Sequence, residues 1–332
     1  MRYTIDLENY RLLMILFDGN ALALEREQRL KEKIQRDFGG KKLVIAAILF
    51  SEDAGSRLYT RLKGEAATRV GIEYRVHEFS LTDASEEIQI KIEELGHDPE
   101  VTGIIIQKPW RKTWVTAQGQ AFIEKISRHP DPNKLERDLY TAWWSKLTLR
   151  INEQKDVDGL HPNTIAEIIA ATWQENRKVL PATCQAVLTI FDQAFEKLSQ
   201  EVGFEKTQTI FNGKYIILGK SDLLGIPLFY ELKRQGRDVE ILASKDLEQR
   251  MQSGQKLLDA TVIVSATGKK GLITGDMVSE TVVVVDVGEP RPDVDFSSVS
   301  SKAAFITPVP GGVGPMTVIS LLENCVQLAS LI

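Results

Sequence analysis

Short apolar runs rich in β-branched residues alternate with longer segments of helical period in the first half of the chain. The runs Leu43–Phe50, 73–79 and 103–107 predict strands, and the segments around 55–70 and 85–95 predict helices between them. Strands that alternate with helices in this way form βαβ units, in which the strands pair in parallel. The pattern therefore predicts a parallel sheet.

The same alternation returns beyond residue 210, with strand-like runs that are almost continuously apolar, as is typical of strands buried on both faces. These runs are Tyr215–Leu218, Val239–Leu242, 261–264 and 282–287. Helical segments over 163–175 and 183–198 are predicted to connect the two sheets, and a last helix over 316–331 to return to the first domain. The fold class predicted is α/β, with two parallel-sheet domains.

The segment 112–152 follows neither period. It carries many charges, Pro130 and Pro132, and an exposed-looking pair of tryptophans, Trp143 and Trp144. The sequence predicts no particular structure for it.

Composition and charge exclude several classes of protein. The chain has 332 residues, of which 43% are hydrophobic and 26% charged, and its net charge of −5 disfavours nucleic acid as a partner. Cys184 and Cys325 stand far apart, so neither a disulfide framework nor a zinc site is expected, and a reducing, cytoplasmic setting fits best. The four histidines are dispersed, so no metal is predicted. Neither a membrane span nor an export signal is expected.

The run from Thr307 to Thr317 is unusually dense in glycine and proline. Pro308 and Pro310 fix φ, whereas Gly311, Gly312 and Gly314 allow a ligand to approach bare backbone. A strand-like run, 303–306, precedes this loop and a helix-like run follows it, an arrangement that suits ligand binding at a helix N-terminus. A rigid hinge between domains explains the same residues equally well.

Three places in the first half carry polar side chains that could serve chemistry. A helix places Ser56, Tyr59 and Lys63 on one face, although a solvated face with one aromatic anchor is the commoner reason for such a pattern. Gln107 ends a predicted strand, either beside a ligand or as a simple strand cap. The run 155–159 offers two carboxylates before a turn glycine; an Asx-rich turn explains it as well, and the calcium-loop pattern is missing.

In the second half, three turns that follow strands have residues suited to a dinucleotide. Gly219, Lys220 and Ser221 open a strand-to-helix turn, but their spacing departs from GxGxxG and from a Walker A loop, so an ordinary tight turn is the alternative. Ser244 follows the next strand, and the pair Thr267 and Gly268 follows the one after. Taken together, the three turns favour cofactor binding.

Read in order, these motifs resemble the bifunctional methylenetetrahydrofolate dehydrogenase/cyclohydrolase family, from about Leu43 to the C-terminus apart from the middle segment. The family's Ser-x-x-Tyr-x-x-x-Lys, Gln-x-Pro, Lys-Asp-Val-Asp-Gly and Thr-Pro-Val-Pro-Gly-Gly-Val-Gly-Pro-Met-Thr motifs begin here at Ser56, Gln107, Lys155 and Thr307. The resemblance implies oxidation of 5,10-methylenetetrahydrofolate with NAD(P)+ and hydrolysis of the methenyl product to 10-formyltetrahydrofolate.

The resemblance also implies roles for single residues. Lys63 would act as base or proton donor, Gln107 would orient the attacking water, and Tyr59 would stack along the folate ring. Asp158 would accept hydrogen bonds from the pterin. Ser56 and the loop residues Pro310, Gly311, Gly312, Val313 and Gly314 would line the substrate site.

For the cofactor, the resemblance implies NADP, with NAD as the alternative. The residues implied in binding it are Gly219, Lys220, Ser221, Ser244, Thr267, Gly268 and Glu289. Lys220 stands where the family has arginine and lacks the bidentate fork that suits a 2′-phosphate. Glu289 departs from the family pattern too, and it either repels a phosphate or faces solvent.

Motif spacing makes the segment before Lys155 about twenty residues longer than the family's. Its basic start, with Lys108 and Arg111, either attracts a folate polyglutamate tail or is plain surface. The implied architecture is a folate-site domain over 1–182 plus 315–332 and a Rossmann-like cofactor domain over 183–314, active at the cleft between them and assembled as a homodimer. The alternatives are a monofunctional dehydrogenase or cyclohydrolase, or a non-catalytic folate- or nucleotide-binding regulator.

Overall fold

The computed structural model describes residues 4–7, 10–288 and 291–331. They form two compact units, each assembled from separate stretches of chain. The six-stranded unit comprises Met1–Arg26, Ile168–Ala171 and Leu180–Ser320, and the three-stranded unit comprises Glu27–Glu167, Thr172–Val179 and Leu321–Ile332. The predicted α/β class with two parallel-sheet units is confirmed.

The described strands are β1 (Thr4–Leu7), β2 (Tyr10–Leu13), β3 (Ile15–Leu16), β4 (Leu43–Phe50), β5 (Ile72–Phe79), β6 (Gly103–Ile106), β7 (Tyr215–Leu218), β8 (Val239–Leu242), β9 (Val262–Ser265), β10 (Val282–Asp286) and β11 (Ala303–Ile306). The described α-helices are α1 (Gly19–Phe38), α2 (Ala54–Val70), α3 (Ser85–His97), α4 (Arg111–Ala117), α5 (Gln120–Ser127), α6 (Pro132–Thr148), α7 (Pro162–Ala170), α8 (Ala182–Val202), α9 (Phe204–Asn212), α10 (Gly225–Arg234), α11 (Ser244–Gln252), α12 (Phe296–Val299) and α13 (Val313–Ala329).

The larger sheet has the strand order β3-β11-β10-β9-β7-β8, and its strands pair in parallel throughout. Its central strands are buried along their whole length, as their continuous apolar runs predict. The edge strand β3 is only two residues long and was not predicted, because so short a run carries no period. The hairpin of β1 and β2 pairs antiparallel outside this sheet.

The smaller sheet has the order β5-β4-β6 and is also parallel. Its central strand β4 is buried at every residue, whereas the edge strand β5 is mostly half-buried. Helix α2 follows β4 directly. The Asp53 carboxylate caps it by accepting from the Ser56 N–H at 3.1 Å, and Gly71 ends it in the left-handed region at φ 89°.

Helix α13 begins in the six-stranded unit and ends in the three-stranded one, where residues 321–331 belong. In the latter unit, the Asn324 side-chain amide donates to the carbonyl oxygen of Val157 at 2.9 Å. The predicted return of the last helix to the first domain is confirmed.

The helix predicted over 163–175 is too long, because α7 ends at Ala170 and Ala171 takes a positive φ of 61°.

The segment 112–152 forms helices α4, α5 and α6. The interpretation of the tryptophan pair as exposed is wrong: Trp144 is buried and Trp143 is half-buried. Both enter an aromatic cluster in which neighbouring ring centroids lie 5.3–6.3 Å apart; its members are Phe50, Trp114, Phe122, Tyr140, Trp143 and Trp144. Ring-to-ring packing at these distances replaces the aliphatic stripe that an amphipathic pattern would show.

Among the described residues, none of the helices has both the length and the apolar surface that crossing a bilayer requires.

Candidate active site

Helix α2 presents Ser56, Tyr59 and Lys63 on one face. Ser56 and Lys63 are buried, at 3% and 6% exposure, and Tyr59 is half-buried. The Lys63 ammonium donates to the side-chain oxygen of Gln107 at 2.9 Å. Gln107 follows β6 directly, and its N–H donates to the Ile48 carbonyl of β4 at 2.9 Å. The structure thus joins two residues that are 44 positions apart in the chain.

Burial controls the charge state of Lys63. Removal from water disfavours the ammonium and lowers the pKa of Lys63, while the negative charge of Asp158 partly opposes that shift. Burial raises the pKa of Tyr74, and the same carboxylate adds to that shift. Asp158 therefore acts electrostatically on the Lys63 amine. An amine with a depressed pKa beside an amide and a carboxylate can accept a proton from water.

The depressed pKa of Lys63 predicts a pH dependence of stability. An unfolded lysine titrates near 10.5, above the folded group, so between the two pKa values only the unfolded chain holds the proton. The free energy of unfolding of the wild type should therefore rise with pH towards 10.5, and Lys63→Met should remove that rise. Urea unfolding of both proteins between about pH 7 and about pH 10 measures it. Parallel pH profiles of the two proteins would contradict the shift.

The neighbours of Asp158 in the run 155–159 are held by other contacts. The Lys155 ammonium donates to the carbonyl oxygens of Leu95 and Asp98, at 3.4 and 2.7 Å. The buried Asp156 carboxylate accepts from two backbone N–H groups and a threonine hydroxyl, those of Leu160, His161 and Thr164. This matches the alternative of an Asx-rich turn for Asp156, whereas Asp158 is half-buried and interacts with Lys63.

Gln107 and the three residues after it form a strand-end segment, 107–110, with a polar contact at every position. The Ser56 hydroxyl approaches the Lys108 carbonyl at 3.5 Å, and the Trp110 N–H donates to the Asp53 carboxylate. The Tyr140 hydroxyl of α6 donates to the Pro109 carbonyl. Neither Asp53 nor Tyr140 was predicted from the sequence as part of the site. An N-cap position before α2 was the available signal for Asp53, and nothing local pointed to Tyr140.

In the six-stranded unit, the turn between β7 and α10 packs backbone against backbone. Gly219 has a φ of 110°, and a Cβ there would lie 2.6 Å from the Ala266 carbonyl oxygen. A Cβ on Gly225 would lie 1.9 Å from the Gly219 carbonyl oxygen. The Ser221 hydroxyl accepts from the N–H groups of Leu224 and Gly225, both at 3.3 Å, at the start of α10. Only glycine fits the close contacts at positions 219 and 225.

A pocket of about 590 Å³ opens at the carboxyl ends of β7, β8 and β9. Its lining includes five of the predicted cofactor residues: Gly219, Lys220, Ser221, Ser244 and Thr267. This volume and this position on a parallel sheet are those of nucleotide sites in open α/β folds. The close backbone approach at the first turn, followed by a helix N-terminus, provides the cradle that a pyrophosphate requires. The residues therefore fit an NAD(P) cofactor.

Charged groups around this pocket are partly paired. The Lys220 ammonium lies 3.2 Å from the Asp246 carboxylate, and the Lys269 ammonium donates to the Ser244 hydroxyl at 3.0 Å. Lys269 was not predicted. Thr267 turns its hydroxyl and N–H to the Asp293 carboxylate, at 2.9 and 2.6 Å, and Gly268 follows at φ 68°. Glu289 lies outside the described residues.

The Gly/Pro-rich loop is anchored at its start and packed against α1. The Thr307 hydroxyl accepts from the backbone N–H of Asp286. The Asp286 side chain is buried, and burial raises the pKa of its carboxyl group to about 6. The Gly311 carbonyl accepts from the Gly19 N–H at 3.0 Å, and a Cβ on Gly19 would lie 2.0 Å from the Gly312 carbonyl oxygen. Gly19 was not predicted from the sequence, and neither was the helix α1 that begins with it.

The other loop residues differ in exposure: Val313 is buried at the start of α13, Gly314 is half-buried and Pro310 is exposed. Within the described ranges, no three His, Cys, Asp or Glu side chains are grouped so that they could hold a metal ion.

Two family models match the chain. The catalytic domain of tetrahydrofolate dehydrogenase/cyclohydrolase matches residues 17–132, and the NAD(P)-binding domain of the same family matches residues 182–331. The bifunctional protein FolD of Helicobacter hepaticus is 32% identical over 327 residues, covering 95% of this chain and 96% of its own.

Two solved structures superpose on nearly the whole chain. The bifunctional enzyme FolD, a methylenetetrahydrofolate dehydrogenase/cyclohydrolase from Campylobacter jejuni, superposes with a TM-score of 0.72 at 31% identity, over 96% of this chain and 99% of that one. The Trypanosoma brucei methylenetetrahydrofolate dehydrogenase-cyclohydrolase, solved with NADP and an inhibitor, also has a TM-score of 0.72, at 25% identity over 96% and 98%. The resemblance predicted from the motifs is confirmed, and the chain belongs to the tetrahydrofolate dehydrogenase/cyclohydrolase family.

Proposed function

We propose how this chain carries out the two reactions of its family: oxidation of 5,10-methylenetetrahydrofolate to the methenyl compound with NAD(P)+, and hydrolysis of that compound to 10-formyltetrahydrofolate. The observation that carries the proposal is the buried Lys63 amine, hydrogen-bonded to Gln107 and under the charge of Asp158. A protein that only bound folate would have no use for a desolvated lysine, which costs stability.

In the hydrolysis, Lys63 takes a proton from the attacking water while Gln107 orients that water by hydrogen bonding. The water oxygen bonds to the methenyl carbon. The bond from this carbon to N5 then breaks as the formyl C=O forms, N5 gains a proton, and one proton is released to solvent. The low pKa of Lys63 suits it to accept the first proton and to return it to N5.

Other residues position the folate. Asp158 accepts hydrogen bonds from the pterin amino and ring N–H groups, where a carboxylate makes strong charge-assisted contacts. Tyr59 stacks along the folate ring, and Ser56 lies on the same face of α2. We propose that the loop residues Pro310, Gly311, Gly312, Val313 and Gly314 contact the substrate, because the glycines among them allow it to approach bare backbone.

For the oxidation, a nicotinamide dinucleotide held by this chain would supply the hydride acceptor for the methylene carbon, and two nitrogens of the folate would share the cation that remains. Gly219, Lys220, Ser221, Ser244 and Thr267 line the pocket proposed to hold the rest of the dinucleotide, with Gly268 beside Thr267. We propose NADP as the cofactor. Two ammonium groups support this, since Lys269 contacts Ser244 and Lys220 lines the same pocket.

Mixing the purified protein with 5,10-methylenetetrahydrofolate and either NADP+ or NAD+ tests both steps, when reduced cofactor and the methenyl compound are followed together. Reduction of NADP+ with only brief accumulation of the methenyl compound is expected. Lasting accumulation would contradict the hydrolase role of Lys63, and a folded protein that reduces neither cofactor would contradict the dehydrogenase. Faster turnover with NAD+ would overturn the cofactor assignment.

A further inference from the structure

The strand-end segment 107–110 carries Gln107, the residue proposed to orient the attacking water, so whatever holds this segment bears on the hydrolysis. Of the four backbone contacts described above for this segment, three come from β4, from the start of α2 and from the Asp53 cap before it. The fourth is different, because Tyr140 lies in α6, inside the stretch 133–181 that neither family model matches.

Tyr140 is held rigidly. It is buried at 8% exposure, and its ring packs against Trp114 and Trp143 at 5.5 and 5.8 Å between centroids. Trp143 in turn packs against Phe50, the last residue of β4, at 5.3 Å. Edge-on and tilted ring contacts at these distances leave the phenol little freedom.

A second contact from α6 reaches the same segment. The Lys108 ammonium lies over the Trp144 ring, 4.9 Å from its centroid, so the residue after Gln107 is held by its side chain. Pro109, whose carbonyl accepts from Tyr140, has its φ fixed by the proline ring. Displacement of the Pro109 carbonyl is therefore transmitted along a short, stiff stretch of backbone to Gln107.

We propose that Tyr140 is a positioning residue for hydrolysis: its hydroxyl fixes the Pro109 carbonyl and thereby the Gln107 amide against the Lys63 amine. This inference rests on the proposed roles of Lys63 and Gln107. It gives the longer middle segment of this chain a task in the reaction. Hydride transfer depends on the placement of nicotinamide and methylene carbon, so it is less sensitive to Gln107.

Tyr140→Phe in the full-length protein tests the inference, because it removes one hydroxyl and keeps the ring packing. Tyr215→Phe is the matched control: that hydroxyl also donates to a backbone carbonyl, that of Phe211 at 2.9 Å, and its residue is also buried, in the six-stranded unit. For each protein, kcat and KM are measured separately for hydrolysis of supplied methenyltetrahydrofolate and for the oxidation, together with the thermal midpoint.

Tyr140→Phe is expected to lower the kcat of hydrolysis about tenfold, with KM and the kcat of oxidation within about twofold of wild type. Tyr215→Phe is expected to lose a similar amount of thermal stability without that change in kcat. Equal loss of both activities in Tyr140→Phe, an unchanged kcat, or the same loss in Tyr215→Phe would overturn the inference. A wild type that cannot hydrolyse the methenyl compound would overturn the proposed function instead, and this inference with it.

Discussion

Replacement of Lys63 by methionine is expected to lower the rate of methenyltetrahydrofolate hydrolysis roughly 1000-fold, the size of effect that loss of a general base produces. Methionine matches the length of the lysine stem but can neither accept a proton nor donate to Gln107. Oxidation of the methylene compound should continue, so the methenyl compound should accumulate. Stopped-flow absorbance of the methenyl compound in the presence of oxidised cofactor measures both steps at once.

Lys155→Met provides the control for this variant, since it removes another buried lysine of the same unit. The Lys155 ammonium donates to the carbonyl oxygens of Leu95 and Asp98, so its loss should lower the free energy of unfolding by about 1–3 kcal/mol. Hydrolysis by the folded fraction should persist. Normal hydrolysis by Lys63→Met would remove this lysine from the mechanism.

Gly225→Ala is expected to impair the oxidation and leave the hydrolysis unchanged, the reverse of the pattern expected for Lys63→Met. The new methyl group would meet the Gly219 carbonyl oxygen at 1.9 Å, so the turn that lines the dinucleotide pocket has to open. A displacement of about 1 Å at a binding site can cost about 100-fold, and we expect a loss of this size in kcat/KM for the oxidised cofactor. Hydrolysis of supplied methenyltetrahydrofolate, which needs no cofactor, should be unchanged. Steady-state kinetics of the separate reactions measures the difference.

The other end of helix α10 offers a matched glycine. Gly236 has a φ of 75°, but a Cβ at this position would meet no atom within 4 Å beyond its chain neighbours, so Gly236→Ala introduces only backbone strain of about 1 kcal/mol. Its cofactor kinetics should match those of the wild type. If Gly236→Ala impaired oxidation as strongly as Gly225→Ala, the effect would come from general destabilisation and not from the turn.

The fold could be predicted wherever a local pattern decided it. Four strands, β4, β7, β8 and β11, have the predicted bounds. In β4, β7 and β11 the reason is that buried parallel strands are continuous apolar runs with sharp ends, whereas the edge strand β8 includes Glu240 and is half-buried at its centre. Helix α1 and the helices of 112–152 were not predicted. The middle segment packs through aromatic rings that belong to different helices, and no periodicity within one helix announces such contacts.

The candidate site, too, could be predicted only where a local pattern decided it. The helical spacing of Ser56 and Lys63 was visible in the sequence, and so was the position of Gln107 at a strand end. The contact of Lys63 with Gln107, and that of Tyr140 with Pro109, depend on how distant segments pack. The family resemblance supplied the roles expected of Lys63 and Gln107. Tyr140 was out of its reach, because the resemblance does not extend to that segment.

The pairing of β3 with β11 sets a condition on the synthesis of this protein. Ile15 and Leu16 leave the ribosome early, but their partners Phe305 and Ile306 emerge almost 300 residues later. Residues 321–331, which complete the three-stranded unit, emerge later still. Both units therefore await residues beyond 300, and the nascent protein carries the unpaired strand β3 until those residues are made, the stage at which chaperones protect unpaired strands from mispairing.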